Sequence, residues 1–235
     1  MKKIGIVGGT AWRSTAEYYE ALCERSDGAA EFAIESLELR RALSYLGNIG
    51  DDSSWERFDR YHRDALARVE RSGAELAFFA SNTPHHRIAQ ITHGVEIPVV
   101  SIVDAVASTC KRTGVDRLLV LGTNLTMRSP AIAAQYARHG IDARPPLEAD
   151  RAHVEKLIER LQAGLDTTGG AEIRAIAQRA GYLDSAASAV ALACTELPLA
   201  FPGRTREAHF EADGARYVNT LAAHVDAIFA AASAP

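Results

Sequence analysis

Short apolar runs of five or six residues recur along the chain, alternating with longer stretches whose apolar positions fall three and four apart. Lys3-Ile4-Gly5-Ile6-Val7 leads into Gly8-Gly9 and reads as a buried strand that meets a tight turn. Tyr18, Tyr19 and Leu22 then recur at helical spacing, with Ser14 or Thr15 placed to cap that helix. Alternation over 32–39 predicts a second strand, 48–53 is turn-rich, and helical periodicity resumes from 55 to 71 before Ser72-Gly73 stops it. Residues 75–80 form a compact apolar strand ending at Ser81-Asn82-Thr83-Pro84. Residues 97–102 form another, with a helix over 104–112 behind it.

Strands of this length separated by helices predict a parallel α/β sheet, because parallel neighbours require a crossover connection. The second half repeats the pattern. The run 117–123 copies the opening strand with its glycine turn, and 188–196 copies the strand that ends at Ser81. Gly8 and Gly122 lie 114 positions apart and Ser81 and Cys194 lie 113 apart, so two features share nearly one offset. That predicts two pseudo-symmetric α/β lobes, each a parallel sheet flanked by helices, the first formed by 1–105 with 210–235 and the second by 106–209. Ligands of open parallel sheets bind beyond the carboxyl ends of the strands. Four such ends carry small polar groups here: Gly8-Gly9-Thr10, Ser81-Asn82-Thr83, Gly122-Thr123-Asn124 with Thr126, and Cys194-Thr195-Glu196. The expected active site is a cleft between the lobes, with Ser81 and Cys194 on its opposite walls.

Composition narrows the function. Of the 235 residues 47% are hydrophobic and 24% charged, which excludes a disordered chain. Twenty-six Lys and Arg against 30 Asp and Glu leave a net charge of −4, so no general basic field exists and nucleic acid is not an expected partner. No window offers the roughly 20 apolar residues of a membrane-spanning helix, and the reading is a soluble chain without a targeting segment. Three cysteines are too few and too odd for a disulfide framework, which fits a reducing cytoplasm and leaves each thiol available for chemistry.

Cys194 ends a strand, where backbone N–H groups and a following helix favour a thiolate able to exchange protons. A buried packing role is the alternative, and the residues alone leave both open. Cys23 and Cys110 lie inside predicted helices without polar strand-end neighbours and read as core. Thr10, Asn82, Thr83, Thr123, Thr126 and Thr195 can join backbone amides in holding a small carboxylate, although Thr and Asn are also ordinary turn formers. Arg40-Arg41 offers a guanidinium for a second carboxylate, or is simply solvated. His85-His86 and the scattered histidines lack ligand spacing, so no metal is expected. Gly5, Gly8 and Gly9 do not make a dinucleotide turn, and neither a Walker pattern nor a hydrolase elbow occurs, so no nucleotide cofactor is expected.

Taken together, Ile4 to Thr15, Ser81-Asn82-Thr83-Pro84-His85, Leu121 to Met127, Ala193-Cys194-Thr195-Glu196 and Asn219-Thr220 with His224 resemble the aspartate/glutamate racemase family. The resemblance spans nearly the whole chain. It implies racemisation of an acidic amino acid without pyridoxal phosphate or any other cofactor, and a homodimer. It also implies two cysteines flanking the α-carbon, one removing a proton while the other supplies one to the opposite face. By motif Cys194 is the second-lobe cysteine, and Asn82, Thr83, Thr123, Thr126 and Thr195 fall at carboxylate-binding positions. Three departures stand out. Ser81 occupies the first-lobe cysteine position, as in a subgroup of broad or acidic-amino-acid racemases. Gln162 stands where a lysine often meets the distal carboxylate, and Thr10 replaces a common methionine. A serine hydroxyl is a far weaker acid than a thiol. One-base lyase, decarboxylase or isomerase chemistry at Cys194 on a small dicarboxylate is therefore the alternative, with a non-catalytic carboxylate-binding protein behind it.

Overall fold

The computed structural model describes residues 1–165 and 169–234. The chain divides into two compact units, Met1–Ser101 with Val225–Pro235, and Ile102–His224. Each follows from the patterning above.

The first unit is built on a parallel sheet of β1 (Ile4–Gly8), β2 (Phe32–Ser36) and β3 (Leu76–Phe79), ordered β2-β1-β3. All of β1 and β3 is buried, which is why both read as continuous apolar runs rather than alternating ones. β2 lies at the sheet edge and alternates in exposure. The first helix, Trp12–Arg25, starts at an Ala11 cap that makes no side-chain hydrogen bond, so neither Ser14 nor Thr15 caps it. Thr15 instead accepts the Gly9 N–H through Oγ1 at 2.9 Å, tying the helix to the turn. The strand expected over 97–102 is reduced to a single bridge between Ala77 and Val99. Pro98 has no N–H to extend the ladder; its carbonyl accepts from Ala77 at 2.8 Å and Val100 donates to the Ala77 carbonyl at 2.8 Å.

The second unit carries β4 (Arg117–Gly122), β5 (Asp142–Arg144), β6 (Ser188–Ala193), β7 (His209–Ala212) and β8 (Ala215–Asn219), ordered β5-β4-β6-β8-β7. Four strands run parallel and β7 pairs antiparallel with β8 at the edge. Both faces are covered. Leu119, Leu121, Val190, Leu192 and Tyr217 pack against the helices Glu148–Gln162 and Gly169–Arg179. Leu118, Val120, Ala189, Ala191 and Val218 face Ile102–Thr113 and Pro130–Arg138. The order β5-β4-β6 reproduces β2-β1-β3, so the offset between Gly8 and Gly122 marks a repeated strand arrangement.

The unit boundaries differ from the expected ones at 105/106 and 209/210. β7 and β8 bond into the second sheet, and the chain returns to the first unit only at Val225, within the last helix Thr220–Ser233. Among the described residues no helix is long and apolar enough to cross a membrane.

Candidate active site

In the first unit the carboxyl ends of β1, β2 and β3 share one edge because the strands are parallel. Gly9 turns the chain there at φ 88°, and a Cβ on it would lie 2.1 Å from the Leu37 carbonyl oxygen. Only glycine fits so close to the exit of β2. The turn sets Thr10 beside Ser81, with their hydroxyl oxygens 3.3 Å apart and either able to donate. Asn82 and Thr83 follow at the start of the short turn Thr83–Arg87, where the Asn82 carbonyl accepts the His85 N–H at 3.0 Å. Ser81, Asn82 and Thr83 are half-buried. Arg40 and Arg41 lie in the first turn of the helix Leu39–Ser44, beyond β2, and both are exposed. Arg41 pairs with Glu38 at 3.3 Å and lies over the Tyr61 ring.

A buried polar layer in this unit went unrecognised in the sequence. Arg87 donates to Asp59 from Nε at 3.2 Å and from Nη2 at 2.8 Å, and from Nη1 to Asp52. Nearby His62 is fully buried. Its Nδ1 meets the Phe58 carbonyl at 2.8 Å, and burial pushes its pKa down to about 4. Asp59 and Arg87 are 28 positions apart, so only the fold reveals the pair.

In the second unit β4 and β6 bring the other polar ends together. Gly122 pairs with Ala193, and a Cβ on Gly122 would sit 2.7 Å from the Ala193 carbonyl oxygen. Thr123 and Cys194 are the next residues along these two strands. Thr123 caps the helix Asn124–Arg128, accepting the Thr126 N–H at 3.4 Å, with the two hydroxyl oxygens 3.1 Å apart. Cys194, half-buried, donates its S–H to Glu196 Oε2 at 2.9 Å, and the Thr195 hydroxyl donates to the same oxygen at 3.0 Å. The Glu196 residue is 6% exposed.

This arrangement corrects the expected thiolate. Burial, followed by the charge and hydrogen bond of Glu196, pushes the Cys194 thiol well above its ordinary range, outweighing the Thr195 and Glu196 backbone amides. The element behind the cysteine is a four-residue 3-10 turn, Leu197–Ala200, too short to supply much helix field. Cys110 is a core residue whose thiol burial pushes up to about 12, and Cys23 is half-buried.

Two motif residues turn out to hold the fold. Asn219 Oδ1 accepts the N–H groups of Leu221 and Ala222 at 3.1 and 3.2 Å, and Thr220 donates to the Leu192 carbonyl at 3.0 Å. Gln162 is the exposed last residue of its helix. Among the described residues no group of three or more His, Cys, Asp or Glu side chains is placed to hold a metal ion.

The sequence profile of the Asp/Glu/Hydantoin racemase family matches residues 7–228. Among solved structures, an aspartate racemase homologue from Pyrococcus horikoshii OT3 is 29% identical, covers 100% of both chains and superimposes with a TM-score of 0.82. A proposed Asp/Glu racemase from Yersinia pestis, 23% identical over 99% of each chain, has a TM-score of 0.79. The aspartate racemase of Picrophilus torridus, 21% identical over 98% of this chain and 94% of its own, has a TM-score of 0.71.

Proposed function

Because this chain belongs to the Asp/Glu/Hydantoin racemase family, we propose that it racemises an amino acid, of aspartate/glutamate type or broader, without a cofactor. In this reading Cys194, once ionised, takes the α-proton on one face, and the Ser81 hydroxyl returns a proton on the other. Backbone amides with Asn82, Thr83, Thr123, Thr126 and Thr195 hold the α-carboxylate and steady the charge that spreads into it as the α-carbon loses its proton. Thr10 is the proton partner of Ser81 across their 3.3 Å contact, and Arg40 or Arg41 meets a second carboxylate. The observation that carries the reading is the Cys194 thiol at the carboxyl edge of a parallel sheet, hydrogen-bonded to a buried carboxylate.

Mirror-image amino acids have equal free energy, so the two directions must have equal kcat/KM. Ser81 therefore has to act as base in one direction, and its partner at that edge is another hydroxyl. This favours a second reading in which Cys194 works alone as a one-base lyase, decarboxylase or isomerase on a small dicarboxylate.

Incubating each aspartate and glutamate enantiomer in deuterated water separates the two. Racemisation predicts the mirror-image product carrying solvent deuterium at the α-carbon. Cys194→Ala should reduce the rate by a factor on the order of 10²–10⁴, the usual scale of a lost acid or base, and Ser81→Ala should do the same. Exchange with retention of configuration, or a Ser81→Ala variant with full activity, refutes the two-face mechanism.

A further inference from the structure

We infer that Glu196 is the positioning residue of the Cys194 thiol: its buried carboxylate accepts the sulfur's hydrogen and holds it in place. The inference rests on the racemase reading for the use made of the sulfur, and its physical basis lies entirely within the second unit.

Three observations converge. The 2.9 Å separation is short for a thiol donor, and the acceptor belongs to a side chain with 6% exposure, where water does little to screen its charge. Oε2 also receives the Thr195 hydroxyl at 3.0 Å, so two neighbouring donors fix one oxygen and hold the carboxylate against the sulfur. The turn Leu197–Ala200 starts immediately afterwards, and its first N–H, from Leu197, donates to the Cys194 carbonyl at 3.1 Å. That closes residues 194–197 into a tight loop that points two side chains of i and i+2 spacing at each other.

Burial is the largest influence on the sulfur and opposes the thiolate; among the described residues of this unit the Glu196 carboxylate is the charged group that adds to it, and the Thr195 and Glu196 amides act the other way. A carboxylate there opposes a second negative charge on sulfur, and its hydrogen bond is lost when the thiol ionises. The sulfur is thus protonated over a wider pH range and is a stronger base once the proton leaves. An α-proton bound to carbon is a weak acid, and a stronger base suits its removal.

The test follows Cys194 alkylation by iodoacetamide against pH in the full-length, ligand-free protein, read by mass spectrometry on the Cys194 peptide so that Cys23 and Cys110 do not contribute. Glu196→Gln keeps the shape and an acceptor oxygen but removes the charge. Its alkylation midpoint should fall by about one pH unit or more, a tenfold rise in the ionisation constant. Glu196→Asp, one methylene shorter, should land between that variant and the wild type. An unchanged midpoint in folded Glu196→Gln overturns the inference, and if that variant does not fold, an unchanged midpoint in Glu196→Asp does so. No substrate is present, so the midpoint decides the role of Glu196 even if racemisation is never detected. Conversely, racemisation with an unmoved midpoint removes only Glu196. Where turnover is measured, the alkaline rise of kcat/KM should move to lower pH in Glu196→Gln by the same interval as the alkylation midpoint.

Discussion

Replacing Gly122 by alanine tests whether the close approach of β4 and β6 is what presents Cys194. The new Cβ would lie 2.7 Å from the Ala193 carbonyl oxygen, 3.3 Å from its carbonyl carbon and 3.2 Å from Thr126 Cγ2. Two of these three atoms are backbone of a strand whose every residue is buried, so neither can swing aside as a flexible side chain would. Relief requires β6 to move at the residue directly before Cys194. Overpacking of this kind costs about 1–3 kcal/mol. For a chain of this size each kcal/mol lowers the unfolding midpoint by roughly 2–4 °C, which gives a fall of about 2–12 °C by calorimetry. Displacement of the strand end should also disturb the Cys194–Glu196 hydrogen bond and move the alkylation midpoint of Cys194 downward. A Gly122→Ala variant with wild-type melting and wild-type alkylation would refute the claim that this contact shapes the site.

The buried first-unit layer gives two further expectations. His62 is held neutral in the fold, with its pKa lowered from 6.5 to about 4. Between those values the unfolded chain binds a proton that the folded one does not, so stability present above pH 6.5 is lost as pH falls toward 4. The loss is about 3 kcal/mol by linkage. Urea unfolding at several pH values should show it, and His62→Phe, which cannot titrate, should flatten that part of the profile; an unaltered slope contradicts it. Asp59→Asn leaves the buried Arg87 guanidinium with Asp52 alone, whose side chain is 86% exposed. The expected loss is about 3 kcal/mol, and a change as small as an exposed ion pair gives, below about 1 kcal/mol, would show that the pair contributes little.

The parts of the fold that were legible from the chain are those whose apolar runs are buried on both faces. β1, β3, β4 and β6 were read within a residue or three of their observed ends because no polar face interrupts them. The glycines were legible too: Gly9, just past β1, and Gly122, the last residue of β4, lie where a side chain would strike backbone. β5, at three residues, is too short to carry a pattern. The β7–β8 hairpin did carry a signal, Asp213-Gly214, and both residues adopt positive φ, 50° and 74°, as a tight hairpin turn demands. Missing it misplaced the boundary between the units. At the site, the residue types and their strand ends could be read, whereas the ionisation of Cys194 could not. The sign of that effect depends on where the Glu196 carboxylate points, and a side-chain direction is set by the turn that follows, not by spacing.

The residues of the first unit flank those of the second in sequence, which governs the order in which a nascent polypeptide can complete it. Lys2 donates its N–H to the Ala232 carbonyl at 2.8 Å, Arg25 pairs with Asp226 at 2.9 Å, and the Arg25 guanidinium lies over the Phe229 ring. All three partners are synthesised after residues 102–224. With synthesis proceeding at about 5–20 residues per second, residues 102–224 are available to fold for a moment while their predecessor still lacks its closing segment. The first unit is therefore the later of the two to mature, and deleting residues 225–234 should harm it first.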